Sequence, residues 1–238
     1  MEDRPLIIAL DFPGVAEASR FLNHFNEPLY VKVGMELFYQ EGAPFISRLK
    51  ESGHRIFLDL KLHDIPNTVQ SAMRRIAGFG VDLVNVHAAG GRAMMEAALE
   101  GLESGTPAGQ KRPGCIAVTQ LTSTSQEVMT NEILINRPLD EVVLSYAELT
   151  SKSGLDGIVC SVLEVEKIHN HLGNHFLTIT PGMRPSFASV NDQVRVATPE
   201  VARRLGTNAI VVGRAITSAE NPLEAYRKIN KEWTGSQG

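Results

Sequence analysis

The sequence is poor in several things, and each shortage closes off a class of protein. Its 238 residues hold 2 cysteines, Cys115 and Cys160. A pair cannot build a disulfide framework, and both lie in apolar runs, so buried reduced thiols of a cytoplasmic protein are expected. No stretch approaches the ~18 consecutive apolar residues of a membrane span. The start, Met1-Glu2-Asp3-Arg4-Pro5 and then a short apolar run, lacks the basic opening and long apolar stretch of a signal peptide. Positive charge is not in excess: Lys and Arg number 23 against 27 Asp and Glu, a net charge of −4. That balance argues against a nucleic-acid polymer as partner, because such binding rests on Lys and Arg neutralising phosphates. No low-complexity stretch or Pro/Gly/Ser linker divides the chain. One domain over 1–238 is expected, with a frayed tail at 234–238.

What is present is an alternation. Hydrophobic residues make up 43% and charged residues 21%, the mix of an ordinary globular protein. Eight short apolar runs, at 6–11, 30–34, 55–61, 83–88, 115–121, 157–161, 177–180 and 209–213, read as strands buried on both faces. Amphipathic stretches at 35–52, 67–79, 139–151, 199–205 and 222–233 read as helices. Gly53, Gly80, Gly154, Gly173 and Gly206 follow helical stretches, where left-handed caps are expected. Repeating units of about 30 residues are the size of βα units, which predicts an α/β fold, a single-domain (β/α)8 TIM barrel. An open doubly wound sheet is the rival. It would carry a G-x-G-x-x-G turn after an early strand, and none is present.

A barrel places its site at the C-terminal ends of the strands. The predicted ends carry Asp11, Lys32, Asp59 with Lys61, His87, Thr122, Ser161, and Gly213 with Arg214. Interior charges are costly unless paired or functional. The densest run is Asp59-Leu60-Lys61-Leu62-His63-Asp64-Ile65-Pro66. A period of two puts Asp59 and Lys61 on one face and Leu58, Leu60 and Leu62 on the other. Lys32, between Val31 and Val33, can point the same way, so two lysines and at least two aspartates converge. One reading is an ion-pair network that only fixes register; the other, favoured by the expense of such charges, is an active site.

Loops after strands seven and eight are the usual phosphate site of this fold. Here they hold Pro181-Gly182-Met183-Arg184-Pro185 and Val211-Val212-Gly213-Arg214. Gly213 lets backbone approach an anion, and Arg184 and Arg214 offer forked charge-assisted bonds. The long stretch 184–197, which includes Gln193 as a donor, reads as a lid. His87 reads either as a base or as a hydrogen-bonded core histidine. Asn85 and Ser161 read as satisfied interior polar groups, and Trp233 as the anchor of the last helix. His24, His54, His169, His171 and His175 show no metal-ligand spacing.

Leu10-Asp11, Val31-Lys32-Val33-Gly34, the run from Asp59 through Asn67-Thr68, Pro181-Gly182-Met183-Arg184 and Val212-Gly213-Arg214 occur in order along the chain. Together they resemble the orotidine 5′-phosphate decarboxylases of the shorter bacterial type, over roughly residues 5 to 230. The run D-x-K-x-x-D-I-P-x-T carries most of that likeness. Met183, in place of an Ile or Val, is one modest departure.

The resemblance implies decarboxylation of orotidine 5′-phosphate to uridine 5′-phosphate and CO2, the last step of de novo pyrimidine synthesis, with no metal and no organic cofactor. It implies Lys61 as proton donor to C6, flanked by Asp59 and Asp64, with Lys32 completing the charged set. Asp11, Lys32 and Asp59 are implied for substrate binding, the first two at the ribose hydroxyls. Thr122 is implied for the pyrimidine, and Arg184, Gln193, Gly213 and Arg214 for the phosphate. A homodimer is implied, with Asp64, Ile65 and Thr68 reaching the partner's site. Metal-dependent keto-acid phosphate decarboxylases and hexulose-phosphate synthases resemble the same D-x-K-x-x-D core, but Ile65-Pro66-Asn67-Thr68 favours the orotidine type. A non-catalytic phosphate sensor on the same barrel is the rival from another class.

Overall fold

The computed structural model describes residues 4–185 and 197–235. In chain order its elements are β1 (Leu6–Ala9), α1 (Val15–Leu22), β2 (Tyr30–Gly34), α2 (Met35–Glu51), β3 (Arg55–Leu62), α3 (Pro66–Ala77), β4 (Leu83–His87), α4 (Gly91–Gly105) and β5 (Gly114–Val118). Then come α5 (Gln126–Asn131), α6 (Leu139–Lys152), β6 (Gly157–Val159), α7 (Val165–Leu172), β7 (Leu177–Thr180), α8 (Pro199–Arg204), β8 (Ala209–Val212), α9 (Arg214–Thr217) and α10 (Pro222–Thr234). Each strand runs parallel to the next, and β8 pairs with β1, so the sheet closes into the expected (β/α)8 barrel.

Side-chain alternation builds two apolar layers. Ile7, Ala9, Phe57, Leu83, Ile116, Ile179, Ala209 and Val211 fill the barrel. Their strand neighbours, such as Ile8, Val31, Leu58 and Val84, face outward and pack with helix residues including Met73, Met94 and Leu102. Burying each large apolar side chain contributes roughly 1.5–3 kcal/mol.

Polar side chains fix register at the N-terminal rim. The Leu29 N–H donates to His54 Nδ1 at 3.0 Å, that of Ile56 to Asp82 at 2.7 Å, that of Cys115 to Asp156 at 2.7 Å, and that of Thr178 to Asn208 at 2.8 Å. In each case the residue just before one strand satisfies a backbone donor at the start of the preceding one. Arg112 forks onto Asp156 at 2.7 and 3.1 Å.

Several expectations need correction. The run 115–121 leaves the sheet after Val118, where the Thr119 N–H makes the last ladder bond, to the Val159 carbonyl at 3.3 Å, and its hydroxyl donates to the same oxygen at 3.1 Å. Thr122 therefore sits in a turn rather than at a strand end. The amphipathic stretch 35–52 is two helical segments, not one. Gly42, at φ 67° and ψ −160°, breaks it, and Pro44 then stands in the first turn of the second segment, where its missing N–H costs nothing. Helices α1, α4, α5, α7 and α9 lie outside the five amphipathic stretches, though the (β/α)8 pattern requires a helix after most of their strands. The five glycines expected to cap helices all take positive φ. The proposed lid, 184–197, lies for the most part outside the described residues. Its ends meet, as the Arg184 N–H donates to the Ala197 carbonyl at 2.9 Å.

Both cysteines are buried, and burial pushes the Cys115 thiol up to about 12. Trp233 is fully buried, and its indole N–H donates to the Arg4 carbonyl at 2.8 Å, anchoring α10 as expected.

Candidate active site

The inward face of each early strand begins apolar and ends polar. Ile7 and Ala9 lead to Asp11, Tyr30 leads to Lys32 and Gly34, Phe57 leads to Asp59, and Leu83 leads to Asn85 and His87. A period of two keeps each series on one face. The apolar members form a floor and the polar ones collect above it at the C-terminal mouth.

Four charged groups meet there in a chain. Lys32 Nζ lies 3.1 Å from Asp11 Oδ1 and 3.3 Å from Asp59 Oδ2, and Lys61 Nζ lies 2.7 Å from Asp59 Oδ1. Asp59 is the centre and is buried, with a side chain 10% exposed, whereas that of Asp11 is 60% exposed. Burial alone would raise the Asp59 pKa, but Lys32 and Lys61 outweigh it and hold the carboxyl below its ordinary value. Burial likewise pulls Lys32 down, and Asp59 and Asp11 more than offset it, so the ammonium is held above its ordinary value. Both groups are charged at neutral pH.

The position of Lys61 departs from simple alternation. Its backbone is left-handed, at φ 52°, a conformation that costs a non-glycine residue about 1–2 kcal/mol. The β3–β4 register slips at the same place. Leu58 pairs with Val84 and Leu62 with Val86, so residues 59, 60 and 61 stand opposite Asn85 alone. The Asn85 side chain occupies this bulge, accepting from the Lys61 N–H at 2.8 Å and donating to Asp59 at 2.7 Å. Asn85 is thus the satisfied interior polar group expected of a lone amide between Val84 and Val86 in an apolar strand.

Gly34 and Gly213 complete the rim. A Cβ on Gly34 would lie 3.3 Å from Lys32 Nζ, and one on Gly213 would lie 3.7 Å from Asp11 Oδ2. The turn carrying Gly213 and Arg214 therefore borders the charged chain, with Arg214 exposed at the head of α9. Arg184 follows β7, half-buried. Thr122 is half-buried in its turn. Gln193 lies outside the described residues. Asp64, Ile65 and Thr68 are exposed at the start of α3, and Asp64 accepts from the Ile65 N–H at 2.6 Å. The carboxylate beside Lys61 in this chain is that of Asp59, and Asp64 stands apart from it beyond the end of β3.

His87 closes β4 with its ring 5.6 Å from that of His63. Burial, helped by His63 and Lys61 and opposed by Asp59, holds its pKa below the ordinary imidazole value. Ser161 caps the turn Val162–Glu164 in a reciprocal capping box. Among the described residues no group of three His, Cys, Asp or Glu side chains is gathered as a metal site, and no helix is long and apolar enough to cross a membrane.

A (β/α)8 barrel with paired lysines and aspartates at its mouth, bordered by a Gly-Arg turn after the last strand, has the architecture of a barrel enzyme acting through charged side chains. The family model described as orotidine 5′-phosphate decarboxylase / HUMPS family matches residues 4–229, and the chain belongs to that family. The chain is 63% identical over 231 residues to the orotidine 5′-phosphate decarboxylase of Bacillus mycoides (strain KBAB4), covering 97% of each chain. It is similar to the crystal structure of orotidine 5′-phosphate decarboxylase from Lactobacillus acidophilus, at 46% identity and TM-score 0.88, covering 97% of this chain and 99% of that one. It is also similar to the crystal structure of an uncharacterized conserved protein from Geobacillus kaustophilus, at 53% identity and TM-score 0.87, over 96% of this chain and all of that one.

Proposed function

We propose that the chain of ion pairs Asp11–Lys32–Asp59–Lys61 is the machinery with which this protein decarboxylates orotidine 5′-phosphate to uridine 5′-phosphate and CO2. That reaction is the last step of UMP synthesis. The observation that carries the reading is the Lys61 ammonium held 2.7 Å from the Asp59 carboxylate at the barrel mouth.

The bond from C6 to the carboxylate breaks, CO2 departs, and the electron pair stays on C6. No adjacent carbonyl delocalises that pair in the simple way. A fixed ammonium beside C6 stabilises the charge as it appears and then delivers a proton to it. Lys61 is left as the neutral amine and recovers its proton from water. Asp59 keeps Lys61 charged and aimed, and Lys32 keeps Asp59 ionised. Asp11 and Lys32 bind the ribose hydroxyls, with Asp59 beside them, and Thr122 meets the pyrimidine. Arg184, Gln193, Gly213 and Arg214 hold the phosphate, whose remote binding energy closes the loop 184–197 and raises kcat as well as affinity. The reaction in this reading uses no metal and no organic cofactor, and its location is the cytoplasm.

The site is shared between two protomers. Exposed Asp64 and Thr68, and Ile65 with 66% of its surface exposed, support a role outside their own barrel. In a homodimer they reach the partner's mouth, where Asp64 becomes the second carboxylate beside Lys61. Mixing Lys61→Ala and Asp64→Ala proteins should restore activity through hybrid dimers with one intact site; no recovery despite confirmed subunit exchange contradicts sharing.

The deciding assay adds orotidine 5′-phosphate in the presence of EDTA and follows loss of the orotate ultraviolet absorbance. Undiminished turnover is expected. Loss of turnover in EDTA supports a metal-dependent sugar-phosphate chemistry of the same barrel instead.

A further inference from the structure

We propose that Asn85 is a positioning residue that sets both the direction and the charge environment of the Lys61 ammonium. The inference rests on the role for Lys61 given above. Three observations converge on this side chain. It is 1% exposed, in the middle of a strand whose neighbours are apolar. It stands alone opposite the three-residue bulge of β3, where the ladder between Leu58 and Leu62 offers the Lys61 N–H no backbone acceptor in register. Its amide acts at both ends, with Oδ1 accepting from the Lys61 N–H at 2.8 Å and Nδ2 donating to Asp59 Oδ1 at 2.7 Å.

The two bonds have separate consequences. The first satisfies a part-buried donor at the one residue of β3 with a left-handed backbone, which would otherwise tend to relax toward ordinary strand geometry. Relaxation would change the direction of the Lys61 side chain, because its contact with Asp59 is made from the left-handed backbone rather than from strand geometry. The second bond leaves Asp59 Oδ1 with two donors, the Asn85 amide and the Lys61 ammonium, while Oδ2 takes Lys32 at 3.3 Å. The carboxylate is thereby fixed in rotation and does not follow Lys61 when that ammonium gives up its proton. Only a group with a donor and an acceptor on one short stem fits both bonds. A carboxylate at this position accepts from the Lys61 N–H but cannot donate to Asp59, and adds like charge beside it. A leucine does neither at similar volume.

Two variants test this, with Lys61→Ala as reference. Asn85→Leu should lower kcat by about 100-fold while KM for orotidine 5′-phosphate and UMP binding stay within threefold. Asn85→Asp should be weakly active at pH 8 and recover as pH falls. Once protonated, the introduced carboxyl donates and accepts as the amide did, so the ratio of its kcat to the parent's should rise at least tenfold between pH 8 and pH 5.5. A kcat within threefold of the parent for Asn85→Leu overturns the proposal, as does a flat ratio for Asn85→Asp. If Asn85→Leu does not fold, the pH ratio of Asn85→Asp decides alone. An active Lys61→Ala protein would instead overturn the reading of Lys61, so the two failures are distinct.

Discussion

Lys61 and Asp59 are two residues apart on β3, yet their charged atoms meet at 2.7 Å because Lys61 leaves the ordinary strand conformation for φ 52°. In a regular strand they would stand side by side, each pointing into the barrel. The bulge turns the lysine back toward the carboxylate and leaves the ammonium at the mouth, 27% exposed, where a substrate can meet it.

Replacing Asp59 by Asn removes the negative centre between two cations. Lys32, whose side chain is 12% exposed, keeps only Asp11, and Lys61 loses its partner. Removing one member of a buried pair strands the others, so a stability loss of roughly 3 kcal/mol is expected, and kcat should fall by about 100- to 1,000-fold. Urea denaturation and steady-state kinetics on Asp59→Asn check both. An unchanged midpoint would mean that the lysines do not depend on this carboxylate.

Arg214→Ala should act on phosphate capture rather than on chemistry. A charge-assisted contact of this kind is worth about 1.5–3 kcal/mol, so kcat/KM for orotidine 5′-phosphate should drop by about 10- to 100-fold. Activity on the unphosphorylated nucleoside should hardly change. Equal losses on both substrates would move Arg214 out of the phosphate site.

The acid limb of stability should be set first by histidines. Burial lowers the pKa values of His54, His87 and His169 from the ordinary 6.5. A depressed group contributes stability that is complete above its unfolded pKa and is lost as pH falls through the folded one. Tm should therefore decline between pH 7 and pH 5, well before Asp59 matters, since its pKa lies below the ordinary 3.8. Lys32, raised above 10.5, keeps its contribution up to that pH and loses it only above. His54 has the clearest mechanism, because protonating Nδ1 removes the acceptor for the Leu29 N–H. Thermal melts against pH should show a shallower acid slope for His54→Gln; an identical slope would exclude His54.

Much of this site was legible in the chain because the barrel obeys alternation. Asp11, Lys32 and Asp59 stand two residues above Ala9, Tyr30 and Phe57, which all face the barrel interior, so a period of two places them correctly. Alternation also puts Lys61 beside Asp59 at the mouth, although Lys61 does not keep strand geometry. Its left-handed backbone depends on the β3–β4 register, which spacing within one strand does not contain. Asn85 is legible as a satisfied interior amide, but its partners are not, since both lie on another strand. Thr122 was misplaced because Leu121 prolongs the apolar run after pairing has ended at Val118. Asp64 could not be placed by alternation at all, since it lies beyond the end of β3.

The central claim is that Lys61, held by Asp59, supplies the charge and the proton at C6, and its kcat tests this most directly. Lys61→Ala should fold, bind UMP, and lose at least about 10,000-fold in turnover of orotidine 5′-phosphate. A folded Lys61→Ala protein with near-parent kcat would contradict the account.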